Sequence, residues 1–381
     1  MSPTDDPLAT LAATWDLSPE AVAAVTTLLR GPRVASAAPE PAGPSEVTDP
    51  HPIVRYVHDR ELGRGGMAVV DRVYDRDLGR SLAAKRLRDD RRQLPGARAR
   101  LLDEARVMAQ LEHPGILPVH DIDRDDDGAL RVLLQEVEGD TLEARIRRLH
   151  EVSPHPERWG TPDDGWGLRR LLDALVRVAE AVGYAHSRGV VHRDLKPANV
   201  MVGHHGRVLV LDWGLAKVVG TPASPQRPVT TAREGSALAT HASALMGTPA
   251  FMAPEQARSE HDTVGPAADV YALGGILYEL LSGELPRTGV VTAVVARAVR
   301  GEPPALPRLP RVAPGLRELL SRSLAPAAAD RPADGRVFAE ALRAWLDGAD
   351  RDREADALVA EARACQAEAA KRWERAARAE A

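Results

Sequence analysis

The sequence predicts an α+β protein in which a small part rich in short strands precedes a larger, mainly helical part. Between Tyr56 and Gln135, short apolar segments alternate with polar turns, which favours strands, and one helical pattern lies among them. After Gly139 the apolar residues recur at intervals of three and four, which is typical of amphipathic helices. The polar stretch Val191–Lys217 interrupts this pattern and carries many charged side chains.

Composition excludes several classes of protein. The chain has 381 residues, enough for one large or two ordinary domains, and its formal net charge of −5 argues against a nucleic-acid partner. The single cysteine, Cys365, excludes an intrachain disulfide and fits a reducing compartment. No apolar run approaches the roughly 18 residues of a membrane span, and the start of the chain lacks the basic region of a signal peptide. We therefore expect a cytoplasmic protein without a membrane segment.

The N-terminal region divides into two segments. Residues 1–30 predict a small helical segment, in which Ser18 is a candidate N-cap and Pro19 occupies the first helical position. This segment either docks on another surface or is weakly ordered. Residues 31–52 are rich in Pro, Ala and Ser without periodicity and predict a linker.

The strand-rich part begins at Tyr56. Strands are predicted over Val69–Tyr74 and Ser81–Arg88, and a helix over Arg98–Leu111. A hairpin then joins Ile116–Ile122 to Ala129–Gln135 across an acidic turn. We interpret that turn as solvated, because it lacks the length and the terminal glutamate of a calcium-binding loop.

The helical part begins with a short helix over Thr141–His150, followed by an insertion at 151–167 that contains Pro, Gly and Trp. Leu168–Arg188 predicts a long amphipathic helix that ends at Gly189, a C′ glycine. Beyond the polar stretch, further helices are predicted to about Asp347.

The polar stretch places Asp194 and Asn199 on either side of Lys196, and the apolar segment Val208–Leu211 leads directly to Asp212. This spacing suits phosphoryl transfer, in which one carboxylate orients a hydroxyl nucleophile while an amide and a second carboxylate hold Mg²⁺ on the phosphates. A polar surface loop is the alternative. Composition favours the first interpretation, because Asn199 is the only asparagine and only four lysines occur among 50 Lys and Arg residues.

These motifs resemble those of the protein kinases. His192-Arg193-Asp194-Leu195, with Asn199, is similar to the catalytic loop H-R-D-L-x-x-x-N, and Asp212-Trp213-Gly214 is similar to the metal-binding D-F-G. The continuation Asp-Leu-Lys-Pro resembles the serine/threonine class. The resemblance implies a two-lobed protein-kinase-like fold with helical extensions at both ends. The implied kinase domain spans 53–347 and consists of an N-lobe at 53–137 and a C-lobe at 138–347.

The tail, residues 348–381, is rich in Ala, Glu and Arg, and its charged pairs have helix-supporting spacing. It docks on the larger lobe, mediates oligomerisation or begins a longer helical or repeat region; the sequence leaves these three open. Its pattern continues to Ala381 without a cap, which favours a chain that is part of a longer protein.

The resemblance implies a role for each residue of the site. Asp194 orients the substrate hydroxyl as base, Lys196 contacts the γ-phosphate, and the Mg²⁺ ligands are Asn199 and Asp212. On the strand before the first helix, Lys85 matches the lysine that holds the α- and β-phosphates of ATP, and Glu104 is the candidate carboxylate to pair with it.

The remaining nucleotide contacts are also implied by the resemblance. A glycine-rich turn is followed by a strand, which excludes a dinucleotide-binding fingerprint but matches the kinase nucleotide loop, with alanine in place of its third glycine; the alternative is an ordinary hairpin. Its residues are Leu62, Gly63, Arg64, Gly65, Gly66, Met67, Ala68, Val69 and Val70. Ala83 and the hinge residues Gln135, Glu136 and Val137 complete the predicted ATP site. To within one residue, we expect Gln135 to control access to the back pocket.

Gly247–Glu255 matches the end of the activation segment in this family, which builds a platform for protein substrates, and Thr248 would bond the catalytic loop. Phosphorylation at Thr240 or Ser243 could order the preceding residues by pairing with Arg193. A flexible insertion without a switch is the alternative. Two structural residues are also implied: Asp269 would brace the catalytic loop, and Arg331 would pair with Glu255.

The sequence therefore predicts a serine/threonine protein kinase that uses Mg-ATP, acts on Ser and Thr hydroxyls of proteins, and self-associates for autophosphorylation in trans. A catalytically silent nucleotide-binding scaffold would be expected to lose Lys85, Asp194 or Asp212, and all three are present. A small-molecule kinase would be expected to lack Gly247–Glu255, which is also present.

Overall fold

The computed structural model describes residues 55–125, 127–154, 159–203, 206–218, 249–260, 263–305, 312–349 and 363. The predicted N-terminal helix and linker, the tail beyond 349 apart from residue 363, and the predicted phosphorylation sites lie outside these residues.

A five-stranded antiparallel sheet forms the first part of the fold, with strand order β1-β2-β3-β5-β4. The strands are β1 (Tyr56–Arg64), β2 (Ala68–Asp75), β3 (Arg80–Leu87), β4 (Val119–Arg124) and β5 (Leu130–Gln135). The predicted hairpin is confirmed, but β4 begins at Val119 because Ile116 leaves the sheet and forms a single parallel bridge with Val210.

Helix α1 (Ala97–Gln110) connects β3 to β4 and packs on the sheet. Leu101, Ala105 and Met108 recur at intervals of four and three, so they lie on one face, and all three are buried. Glu104 is buried on the same helix. The packing of α1 therefore brings a carboxylate to the inner side of the sheet.

The second part is mainly helical, which confirms the predicted α+β class with a small β-rich lobe and a larger helical lobe. Its helices are α2 (Leu142–Glu151), α3 (Leu168–Ser187), α4 (Pro254–Ala257), α5 (Pro266–Ser282), α6 (Val291–Val299), α7 (Pro314–Ser323) and α8 (335–349). Its short strands are β6 (Gly139–Thr141), β7 (Val190–Val191), β8 (Val200–Gly203), β9 (Val208–Val210) and β10 (Lys217–Val218), arranged as a β6-β8-β9 sheet and a β7-β10 pair. In the described part of the chain, no helix combines the length and hydropathy of a membrane span.

Helices α3 and α5 form the centre of the larger lobe, and both are buried over most of their length. The predicted C′ glycine after α3 is confirmed: Gly189 has a φ of 73°, and its N–H donates to the carbonyl of His186 over 2.9 Å. Helix α8 approaches α3 at Gly183, where a Cβ would lie 2.5 Å from the backbone nitrogen of Arg336. Glycine is therefore required at this crossing.

Candidate active site

The loop between β7 and β8 brings together the three polar residues that the sequence places there. Lys196 Nζ lies 2.8 Å from Asp194 Oδ2. Asn199 Nδ2 donates to the backbone oxygen of Asp194 over 2.8 Å and to its Oδ2 over 3.2 Å. The carboxylate of Asp194 is thus oriented by two side chains, and because the amide nitrogen of Asn199 is engaged with Asp194, its oxygen is the atom suited to a metal ion.

Helix α5 supports this loop through Asp269, which is 1% exposed. Its Oδ2 accepts from the backbone N–H of His192 over 2.7 Å, and its Oδ1 accepts from that of Arg193 over 2.8 Å. His186 Nε2 lies 2.9 Å from Oδ2. Burial alone would raise the pKa of the Asp269 carboxyl, but the hydrogen bond from His186 and its other partners hold that pKa below its usual value.

The supporting histidine was not predicted from the sequence. His186 Nδ1 accepts from the backbone N–H of Gly335 over 3.2 Å, so its Nε2 carries the hydrogen that Asp269 receives. The partners come from three helices that are far apart in the chain. The only sequence signal is a polar side chain near the end of a long apolar helix.

On the other side of the cleft, Lys85 of β3 contacts both of its predicted partners. Its Nζ lies 2.6 Å from Glu104 Oε1 and 3.3 Å from Asp212 Oδ1. Burial would lower the pKa of the ammonium, but the charges of Glu104 and Asp212 outweigh it and raise that pKa above its usual value. Burial raises the pKa of Glu104, whereas the charge of Lys85 lowers the pKa of Asp212. Asp212, whose side chain is 49% exposed, therefore stays ionised and accessible to a ligand.

The neighbouring Asp103 does not take part in this cluster. It is also buried, but its Oδ1 lies 3.6 Å from Nη1 of Arg106, on the same helix. Consecutive helical residues differ in direction by about 100°, so only Glu104 is directed at Lys85.

Trp213, which takes the place of the expected phenylalanine, is 1% exposed and lies against the ring of His192 at a centroid distance of 4.6 Å. Its Nε1 has no hydrogen-bond partner among the described residues. The sequence predicts that this N–H needs a partner, and the described part of the structure supplies none. Among the described residues, the larger ring is therefore accommodated with its buried donor unsatisfied.

The glycine-rich turn lies between β1 and β2. Gly65 closes it by donating to the carbonyl of Ala68 over 2.8 Å. At Gly63 and Gly66, a Cβ would have no neighbouring atom within 4 Å. The turn therefore has open space beside both glycines.

The register of β3 and β5 shows which residue at the end of β5 lies beside Lys85. Ala83 pairs in register with Leu134, so Leu134 lies on the same face of the sheet as Lys85. Leu134 is buried there, whereas Gln135 lies on the other face and accepts from Arg207 Nη2 over 3.0 Å. Leu134, one position before Gln135, is therefore the residue of this pair that lies on the Lys85 face, because the strand alternation continues to the end of β5.

Side chains of the hinge are held from both lobes. Arg207, in the turn between β8 and β9, contacts Gln135, and Arg72 of β2 donates from Nε to Glu136 over 2.9 to 3.0 Å. Val137 is half-buried and packs against the main core.

The described part of the activation segment resumes at Pro249; Thr248, Thr240 and Ser243 lie outside it. Arg331 makes a bidentate pair with Glu255, at 2.7 and 3.0 Å, and its side chain is fully buried. The structure therefore brings together two residues that the resemblance pairs.

The donor set fits Mg²⁺ that arrives with a nucleotide. No three His, Cys, Asp or Glu side chains cluster as a metal site in the part of the chain that the structure describes. Mg²⁺ commonly binds through one or two protein oxygen ligands together with phosphates and water. The amide of Asn199 and the carboxylate of Asp212 match that pattern.

Comparison with known proteins gives a consistent result. The family profile described as "Protein kinase domain" matches residues 56–344. Serine/threonine-protein kinase PknD of Protochlamydia amoebophila is 38% identical over 233 residues, which are 60% of this chain and 23% of that protein. Serine/threonine-protein kinase PknA of Mycobacterium tuberculosis is 35% identical over 299 residues, 77% of this chain and 62% of that protein. PknD of Chlamydia caviae is 33% identical over 234 residues, 61% of this chain and 24% of that protein. This chain thus matches less than two thirds of the length of each of these relatives.

Proposed function

This chain belongs to the protein kinase domain family, and we propose that it is a serine/threonine protein kinase that transfers the γ-phosphate of Mg-ATP to protein hydroxyls. The observation that carries the proposal is the contact of Lys85 with both Glu104 and Asp212. It sets one ammonium between the two lobes, beside an ionised carboxylate, where phosphate oxygens would bind.

In this proposal, residues of the C-lobe bind the acceptor hydroxyl and the γ-phosphate. Asp194 orients the substrate hydroxyl and accepts its proton, and Lys196, which lies 2.8 Å from that carboxylate, neutralises the γ-phosphate. Asn199 and Asp212 would hold Mg²⁺, which supplies neutralisation of the phosphate charge when it is bound. Catalysis then consists of positioning and electrostatic stabilisation.

The residues of the N-lobe bind the nucleotide. Lys85 contacts the α- and β-phosphates, and the open backbone of the glycine-rich turn at Gly63 and Gly66 covers the phosphates. Backbone groups of Gln135, Glu136 and Val137 bind adenine at the hinge. The arginine contacts to Gln135 and Glu136 support this assignment, because they fix the side chains and leave the hinge backbone as the recognition element.

Regulation is part of the same proposal. Phosphorylation at Thr240 or Ser243, by a second copy of this chain, would introduce a charge that pairs with the guanidinium of Arg193. The position of Arg193 directly before Asp194, in a loop held by Asp269, supports a link between this charge and the catalytic carboxylate.

The test is Mg²⁺-dependent transfer of labelled γ-phosphate from ATP to the chain and to a generic basic protein, with Asp194→Ala as the control. We expect label with the wild type alone, and label within residues 221–243 when the chain is its own substrate. ATP binding without transfer, under all conditions tried, would favour a nucleotide-binding scaffold instead. Absence of both transfer and ATP binding would contradict either function.

A further inference from the structure

Arg287, between α5 and α6, is a buried arginine that pairs with no carboxylate in the described part of the chain. It is 3% exposed, and among the described residues its Nε has no hydrogen-bond partner. Its two Nη atoms contact two backbone carbonyls and a phenol oxygen. A buried guanidinium that is not paired with an anion is costly, so its contacts need an explanation beyond packing.

The contacts of Arg287 lead to the platform segment. Its Nη1 donates to the carbonyl of Met252 over 3.0 Å. Its Nη2 donates to the Tyr271 hydroxyl, and lies 3.4 Å from the carbonyl of Glu302. The nearby Arg331, which also lies over the Tyr271 ring, is neutralised by Glu255. Of these two arginines, Arg287 is therefore the one that holds the platform backbone.

The Met252–Ala253 peptide group is held at both ends. Arg287 binds its carbonyl oxygen, and Gln256 Oε1 accepts from its N–H over 3.2 Å. The same Gln256 donates from Nε2 to the backbone oxygen of Arg193 over 2.8 Å. Because a peptide group is planar, fixing both polar ends fixes its orientation. One hydrogen-bonded side chain thus connects this peptide group to the residue before Asp194.

We propose that Arg287 is a positioning residue for the acceptor peptide: it fixes the Met252–Ala253 peptide plane, and with it the backbone that carries the half-buried Met252. This inference rests on the proposed kinase function. Arginine suits the role because its planar fork serves three acceptors at once, whereas lysine presents one compact ammonium.

The test uses Arg287→Met, which removes the donors while keeping a long side chain, and Arg287→Lys, which keeps the charge. The substrates are Ser-containing peptides in which each position within three residues of the serine is varied in turn. We expect the methionine variant to raise the KM for the best peptide about tenfold and to flatten one positional preference, with the KM for ATP within about twofold of the wild type. The KM of the lysine variant for the best peptide should lie between the values for the wild type and the methionine variant.

The control is Arg317→Met, which removes a 2.8 Å bond from an arginine to the Val312 carbonyl, away from the platform. It should leave both KM values unchanged. A merely structural role of Arg287 would lower the melting temperature and the active fraction with both KM values and the peptide preferences unchanged, and this result would overturn the proposal. If the methionine variant does not fold, an unchanged peptide KM in the lysine variant would overturn it equally. Failure of the wild type to phosphorylate any peptide would instead overturn the proposed function, and this role with it.

Discussion

The carboxylate of Asp269 lies 2.8 Å from the backbone nitrogen of Arg193, a residue whose φ of 68° is in the left-handed region. A non-glycine residue in that region costs on the order of 1–3 kcal/mol and persists only when its surroundings hold it there. The second bond of Asp269, to the N–H of His192, fixes the preceding peptide group. The shape of the catalytic loop therefore depends on one carboxylate of α5.

We expect Asp269→Asn to lower the free energy of unfolding by about 2–4 kcal/mol at pH 7, because an amide nitrogen then faces backbone donors in a buried site. Urea denaturation measures this loss. The folded-state pKa of Asp269 lies below its unfolded value of about 3.9, so its stabilisation is fully present above that pH and is lost as the pH falls through the folded-state pKa. The difference between wild type and variant should shrink from pH 6 to pH 3. A constant difference would contradict this account.

Glu104→Gln is expected to lower kcat at least about tenfold, because a neutral amide no longer fixes the Lys85 ammonium. The matched control is Asp103→Asn, one residue away and also buried, which should leave kcat within about twofold. Phosphate transfer under saturating ATP compares the two variants. Equal losses would show that the charge of α1, and not the specific pair, determines activity.

Trp213→Phe should keep the free energy of unfolding within about 1 kcal/mol of the wild type. Removal of an N–H that has no acceptor within the described ranges gains about as much as the smaller ring loses in packing. Trp213→Ala should cost about 3–5 kcal/mol, because it leaves a cavity in the core. Chemical denaturation of both variants makes the comparison. A loss above about 2 kcal/mol for the phenylalanine variant would mean that the indole N–H has an acceptor outside the described residues.

Glu279, on α5, offers a test in the neutral pH range. Burial, with a smaller effect of the nearby Glu143, raises its pKa to about 7. A carboxyl whose folded-state pKa is raised stabilises the fold below its unfolded pKa, and this contribution is lost as the pH rises through 7. Glu279→Gln should therefore be more stable than the wild type at pH 8, by on the order of 2 kcal/mol, and about equal to it at pH 5.

Thermal unfolding at the two pH values measures this change. The exposed Glu318→Gln serves as the control and should show no such pH dependence. A Glu279→Gln variant with the same advantage at both pH values would show that the carboxyl is not titrating in this range.

Local sequence predicted most of the fold. Turn residues and apolar spacing predicted the ranges of four of the five N-lobe strands, α1, the long helix α3 and its terminal glycine. The Asp194, Lys196 and Asn199 cluster was also within reach, because its members lie within six residues and a short loop must bring them together.

The remaining features depend on contacts between distant segments, which local patterns do not encode. His186 and Gly335 meet because two helices cross at glycines, and Gln135 lies on the sheet face opposite Lys85 because strand alternation continues to the end of β5. Arg287 resembles any other arginine among the 50 Lys and Arg residues until the packing shows that it is buried. The predicted N-terminal helix lies outside the described residues, and these contacts do not test the predicted domain boundaries. Both stay predictions.

The pair of Glu255 with Arg331 has a consequence for the growing chain on the ribosome. The two residues are 76 positions apart, and synthesis at about 5–20 residues per second separates their appearance by about 4–15 seconds. The interval is longer for Arg169, because it donates to the carbonyl of Leu346, which is synthesised 177 residues later. The large lobe is therefore expected to complete its folding only after α8 has left the exit tunnel, whereas the N-lobe sheet is finished once β5 has been made.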